Sequence, residues 1–225
     1  MKSFLVKRRQ LIVLASLLSV FLGSDPACAG GRVAFFRALG VDDAGAVRGM
    51  LAHGFDANAR DAHGDPALLL AVRDHAGKVI RLLLDSPGID IDEANRAGEN
   101  ALMIACLQGD GALVQQMIDQ GASVDKSGWT PLSYAATNGH TAIVRALLKH
   151  GARVDAAAPN GTTPLMMAAY FGHLATVRVL LAAGADPRLR NAMGFRAVDL
   201  ALRRGHRAVA HVLGAAMNRR RPGQW

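Results

Sequence analysis

The sequence predicts an all-α solenoid of about five to six helix-turn-helix units with short β-hairpin or turn fingers. Three observations carry this expectation. Gly64, Gly98, Gly128, Gly161 and Gly194 recur at spacings of 34, 30, 33 and 33 residues. Four residues after each glycine comes Leu68, Leu102, Leu132, Leu165 or Val198, and three further on Ala71, Ala105, Ala135, Ala168 or Ala201. Each unit then breaks and resumes as a second apolar segment. A fixed period of this length marks a repeat architecture. No unit can bury its apolar stripe alone, and stacking on the next one buries it.

The segments follow in order. Residues 1–29 read as a signal peptide. Lys2, Lys7, Arg8 and Arg9 precede an uncharged run from Leu11 to Gly23, and Ala27-Cys28-Ala29 fits a small-x-small site with cleavage after Ala29. The run is too short to cross roughly 30 Å of hydrocarbon as a helix. An uncleaved anchor or a buried helix is the alternative, and Arg8-Arg9 leaves the general and twin-arginine export routes both open. Residues 30–218 form the repeat domain, divided at 30–60, 61–94, 95–125, 126–157, 158–190 and 191–218, followed by a basic tail at 219–225. The unit at 30–60 shows only the second half of the pattern, from Ala46 to Leu51 and on to His53-Gly54. It and the unit at 191–218 read as the end caps that a solenoid needs.

One unit explains the others. Thr130 is a good N-cap, and Pro131 sits where a helix has no use for an N–H; Thr163-Pro164 repeats the pair. The first helix is short and Ala-rich, so neighbours can approach closely. Gly139-His140 and Gly172-His173 break the chain. Ile143, Val144, Leu147 and Leu148 then form one buried stripe, and Gly151 and Gly184 suit a left-handed position after it.

These residues resemble the ankyrin repeat. Gly128-Trp129-Thr130-Pro131-Leu132 through Ala135-Ala136, Gly139-His140, Ile143-Val144, Leu147-Leu148 and Gly151-Ala152 is a near-complete match, and Gly161 to Asp186 is as close. Units 61–94 and 95–125 are weaker, with Pro66-Ala67 and Asn100-Ala101 in place of Thr-Pro. Leu69, Met103, Ser133 and Met166 occupy the family's usual His slot, so the hydrogen bond of that slot is expected to be missing in every unit. The 30-residue spacing predicts a truncated finger at 124–128, and Pro87 adds one residue after a second helix.

Composition and motifs narrow the chemistry. The 225 residues are 51% apolar and 20% charged with a net charge of +8, which excludes a disordered chain. Two cysteines make neither a disulfide scaffold nor a four-ligand zinc site, and cleavage would leave Cys106 alone on an apolar helix. No H-E-x-x-H, C-x-x-C, phosphate-loop, dinucleotide or nucleophile-elbow motif occurs. His140, His173 and His206 fill the Gly-His turn; His53 and His150 precede a helix-ending glycine; only His63 is left open for metal. Asp92, Asp125, Asp155 and Asp186 recur singly as turn residues. Asn160-Gly161-Thr162 reads as a turn rather than a glycosylation site. The expectation is no enzyme, no cofactor and no metal. The pI near 10.3 resolves into the export signal and Arg203, Arg204, Arg207 and Arg219–Arg221, so no nucleic-acid partner is expected.

What remains is surface. The resemblance implies partner binding on the concave face of finger tips and first helices. Carried over by position, the candidate contacts are Trp129, Tyr170, Phe171, Phe195, Leu107, Asn138, Arg203 and Arg204. Trp129 and Phe195 either anchor a partner or pack on their own fingers. The expectation is a monomeric, non-catalytic protein-binding module of the bacterial periplasm. A secreted effector or inhibitor, or an accessory subunit of an exported enzyme, is the alternative. Contact of the basic tail with an acidic partner or an anionic lipid surface stays open.

Overall fold

A computed structural model describes residues 26–218, and side chains from residue 30. The signal-peptide reading, apart from the backbone of residues 26–29, and the tail at 219–225 lie outside the described residues.

Twelve helices pair into six units among the described residues: α1 (Pro26–Gly40) with α2 (Ala44–Ala52), α3 (Ala67–Arg73) with α4 (Gly77–Leu84), α5 (Ala101–Gln108) with α6 (Gly111–Asp119), α7 (Pro131–Thr137) with α8 (Thr141–Lys149), α9 (Pro164–Tyr170) with α10 (Leu174–Ala182), and α11 (Ala197–Arg203) with α12 (Arg207–Asn218). The architecture is the expected all-α solenoid. α1 supplies a first helix to a unit whose sequence shows only the second half of the repeat. It does so with a different core: Phe35 is fully buried, stacks on Phe55 at 4.4 Å and meets Phe36 edge-on at 5.3 Å.

The repeated small residues set the spacing. Ala71, Ala105, Ala135, Ala168 and Ala201 are all 0% exposed, so five successive first helices meet at their alanines. First helices pack more closely on one another than second helices do. The stack therefore bends with first helices and fingers on the inner side. Val47, Val79, Val114, Val144 and Val177 close the second-helix layer.

Local rules hold the ends of the helices. Thr130 Oγ1 accepts from Ser133 N at 3.2 Å, and Thr163 Oγ1 from Met166 N at 3.3 Å, each just before a proline in the first turn. Four fingers share one closing backbone bond: Asp61 N to Asp65 O, Asn95 N to Glu99 O, Ala158 N to Thr162 O, and Asn191 N to Phe195 O. The finger at 124–128 has no such bond among the described residues, as its missing length predicts. The turn aspartates do more than turn. Asp92 accepts from Ser123 N at 3.0 Å and Asp155 from Asp186 N at 3.0 Å, each reaching into the next unit.

One expectation is corrected. The slot normally holding histidine is not without side-chain hydrogen bonds in every unit. Ser133 Oγ lies 3.1 Å from Thr130 Oγ1, and Asp199, in the same slot of the last unit, takes three hydrogen bonds from Arg196. A hydroxyl or a carboxylate here meets the N-cap residue next to it, which Leu69, Met103 and Met166 cannot do.

Candidate functional site

The concave face is framed by a repeated latch between units. The last carbonyls of a helix have no partner within it. His140 Nε2–H donates to the Leu107 carbonyl at 3.0 Å, His173 Nε2–H to Thr137 at 2.9 Å, and His206 Nε2–H to Tyr170 at 3.1 Å. Each ring covers the glycine of the preceding unit. A Cβ on Gly139 would come within 2.5 Å of the His173 ring, and the residue has φ +71°. These histidines are therefore structural, as their place in the turn suggests. His53 and His150 close on their own helices, each with Nδ1–H donating to a carbonyl four residues back.

Two positions on the concave face serve the same purpose. Asn138 Nδ2 donates to the Leu107 carbonyl at 2.7 Å, and Gln108 Nε2 to the Val72 and Arg73 carbonyls at 3.1 Å. Asn138 stays solvent-exposed at its edge, and Leu107 is half-buried.

The aromatic residues divide. Trp129 is half-buried and meets Tyr134 edge-on at 6.5 Å, while the Tyr134 hydroxyl donates to Glu99 Oε1 at 2.6 Å. Burial first, and the Glu99 carboxylate after it, push the Tyr134 phenol well above its ordinary range. Trp129 thus packs within its own unit. The other three gather in the last two units. Tyr170 meets Phe171 edge-on at 4.9 Å, and Phe171, 42% exposed, stacks with His173 at 6.3 Å. Arg204 lies 4.6 Å over the Tyr170 ring and Arg203 4.6 Å over the Phe195 ring. Tyr170, Phe171, Phe195, Arg203 and Arg204 form one patch; Leu107, Trp129 and Asn138 lie further toward the N-terminal units.

The sequence reading missed the end of the stack. An open groove of about 520 Å³ beside Phe195 and Arg203 is lined by Arg190, Met193 and Leu202. Leu202 stands where Val72, Cys106, Ala136 and Ala169 are covered by the next unit, and it is 59% exposed because no described unit follows. The repeat alignment carries that signal.

Cys106 is fully buried, and burial drives its thiol away from ionisation. His63 is exposed on its finger. Among the described residues no group of three or more His, Cys, Asp or Glu is placed to hold a metal ion.

Comparison with known proteins agrees with the fold. Residues 88–158 match a model of ankyrin repeats in three copies, and residues 147–201 a model of ankyrin repeats in many copies. No curated protein matches the sequence. The two matched segments run without a gap over half of the chain, and the chain belongs to the ankyrin-repeat family.

Proposed function

We propose that the chain is a non-catalytic binding module of the bacterial periplasm, whose partner protein docks on the concave face at the C-terminal units. Ankyrin repeats are in general protein–protein interaction modules. The observation that carries the finer reading is the patch of Phe171, Tyr170 and Phe195 rimmed by Arg203 and Arg204. Aromatic and arginine side chains of this kind are the usual energetic anchors of an interface. They stand on helices whose positions are latched by histidines, so binding costs little ordering. Export is supported by the pattern of residues 1–29.

Two measurements test this. Affinity capture from a periplasmic extract with the mature chain should retain a protein that a Tyr170→Ala, Phe171→Ala variant loses, with thermal unfolding changed by no more than a few degrees. Equal capture by both chains overturns the site. Fractionation should place a processed chain in the periplasm. Recovery of the unprocessed chain in the cytosol overturns export, and recovery mainly in the medium favours a secreted effector.

A further inference from the structure

Charge is segregated along the solenoid. Residues 61–125 carry eleven acidic against four basic side chains, a net −7, while residues 126–218 carry eleven basic against three acidic, a net +8. The inner face follows the same division. In the second unit Arg73 pairs with Asp65 at 2.9 Å and lies 3.8 Å from Asp74. In the last unit the equivalent residues are Arg203 and Phe195, so an aromatic ring replaces the carboxylate. Arg204 sits the same way on Tyr170. Arg203 and Arg204 are exposed, and neither has a carboxylate partner among the described residues. Asp199, the acid of their own unit, is engaged by Arg196.

A ring holds a guanidinium in place without neutralising it or using its N–H donors. The two groups are thus positioned in advance, with their donors unspent and with less rotamer entropy to lose on binding. An anionic group is what they are built to receive. Phe171 beside them offers an apolar contact that a bare anion would not use. We propose that the segment docking at this end is an acidic stretch of protein, whose Asp or Glu carboxylates meet Arg203 and Arg204 while an apolar side chain covers Phe171. This rests on the protein-binding reading above and specifies its partner's chemistry. The positive half of the chain steers such a segment toward the last units, and the negative half turns it away from the others.

The test uses the mature chain and fluorescence anisotropy with a labelled peptide of four Glu-Glu-Phe repeats, beside its Gln-Gln-Phe counterpart. The acidic peptide should bind at least tenfold more tightly, and weaken as salt rises. Arg203→Gln with Arg204→Gln should abolish that preference while the thermal midpoint holds. Arg203→Lys with Arg204→Lys should keep part of it, because charge is retained and stacking is reduced. Equal binding of the two peptides, or an unchanged preference in the Gln variant, overturns the proposal. So does tighter binding of single-stranded DNA or phosphatidylglycerol vesicles than of the acidic peptide. A dimer in sedimentation that dissociates in the Gln variant assigns the surface to a second copy and overturns it too. The two readings fail separately. If the Gln variant still captures the protein that Tyr170→Ala, Phe171→Ala loses, only the acidic partner is refuted.

Discussion

At the scale of single residues, the Gly-His pair does two jobs one unit apart. The glycine takes a left-handed φ and leaves room for the histidine ring of the next unit; that histidine then caps a carbonyl of the unit before it. Gly139→Ala should therefore cost about 2–3 kcal/mol, from the left-handed backbone and from displacement of the His173 ring. His173→Ala should cost about 1–2 kcal/mol by leaving the Thr137 carbonyl uncapped. Urea unfolding of each variant measures both. The motif was legible in the sequence. The carbonyl it serves was not, because that contact spans 36 residues and depends on how two units sit together.

At the scale of elements, α2, α5, α6, α7 and α9 are each capped by the side chain just before them, and α4 is capped from another unit. α4 begins after Ala76, which has no side chain to offer. Asp42 of the preceding unit, itself at φ +56°, accepts from Lys78 N and Val79 N at 2.9 Å instead. Asp42→Ala should destabilise by about 1 kcal/mol, as much as Thr163→Ala, although Asp42 lies 36 residues from the end it caps. The start of α11 adds a pH dependence. Hydrogen bonds from Arg196 hold the Asp199 carboxyl below its ordinary 3.8. Its folded value is depressed, so its contribution is complete above the unfolded value and is lost as pH falls through the folded one. Acid titration should loosen the last unit below about pH 4. Asp199→Asn should remove that part of the acid response in a hydrogen-exchange profile of α11.

At the scale of the whole molecule, stability is close to a sum of units and their interfaces. Burial, and not residue type, sets what a leucine is worth. Leu165 is 0% exposed between two units, and Leu165→Ala should cost 2–5 kcal/mol by leaving a cavity of about one side chain. Leu202, at 59% exposure, should lose under about 0.5 kcal/mol on the same change. Thermal denaturation of the two variants makes the comparison. The opposed charges of the two halves act at this scale as well, as a field that orients an approaching partner and fades with salt.

The sequence by itself determined the period, the helix pairs from Ala67 onward, the proline-marked starts and the short finger. Each of these follows from contacts within a few residues or from a repeated register, which a linear pattern records. Only the tertiary structure decided the rest. It built α1 from a segment without the repeat signature, whose Phe35 is buried against Phe55. It turned Trp129 inward onto Tyr134 and left Phe171 facing solvent. It set Arg203 and Arg204 on rings instead of carboxylates. These outcomes depend on which side chains meet once the helices pack, within a unit for Trp129 with Tyr134 and Arg203 with Phe195, and across a unit boundary for Arg204 with Tyr170.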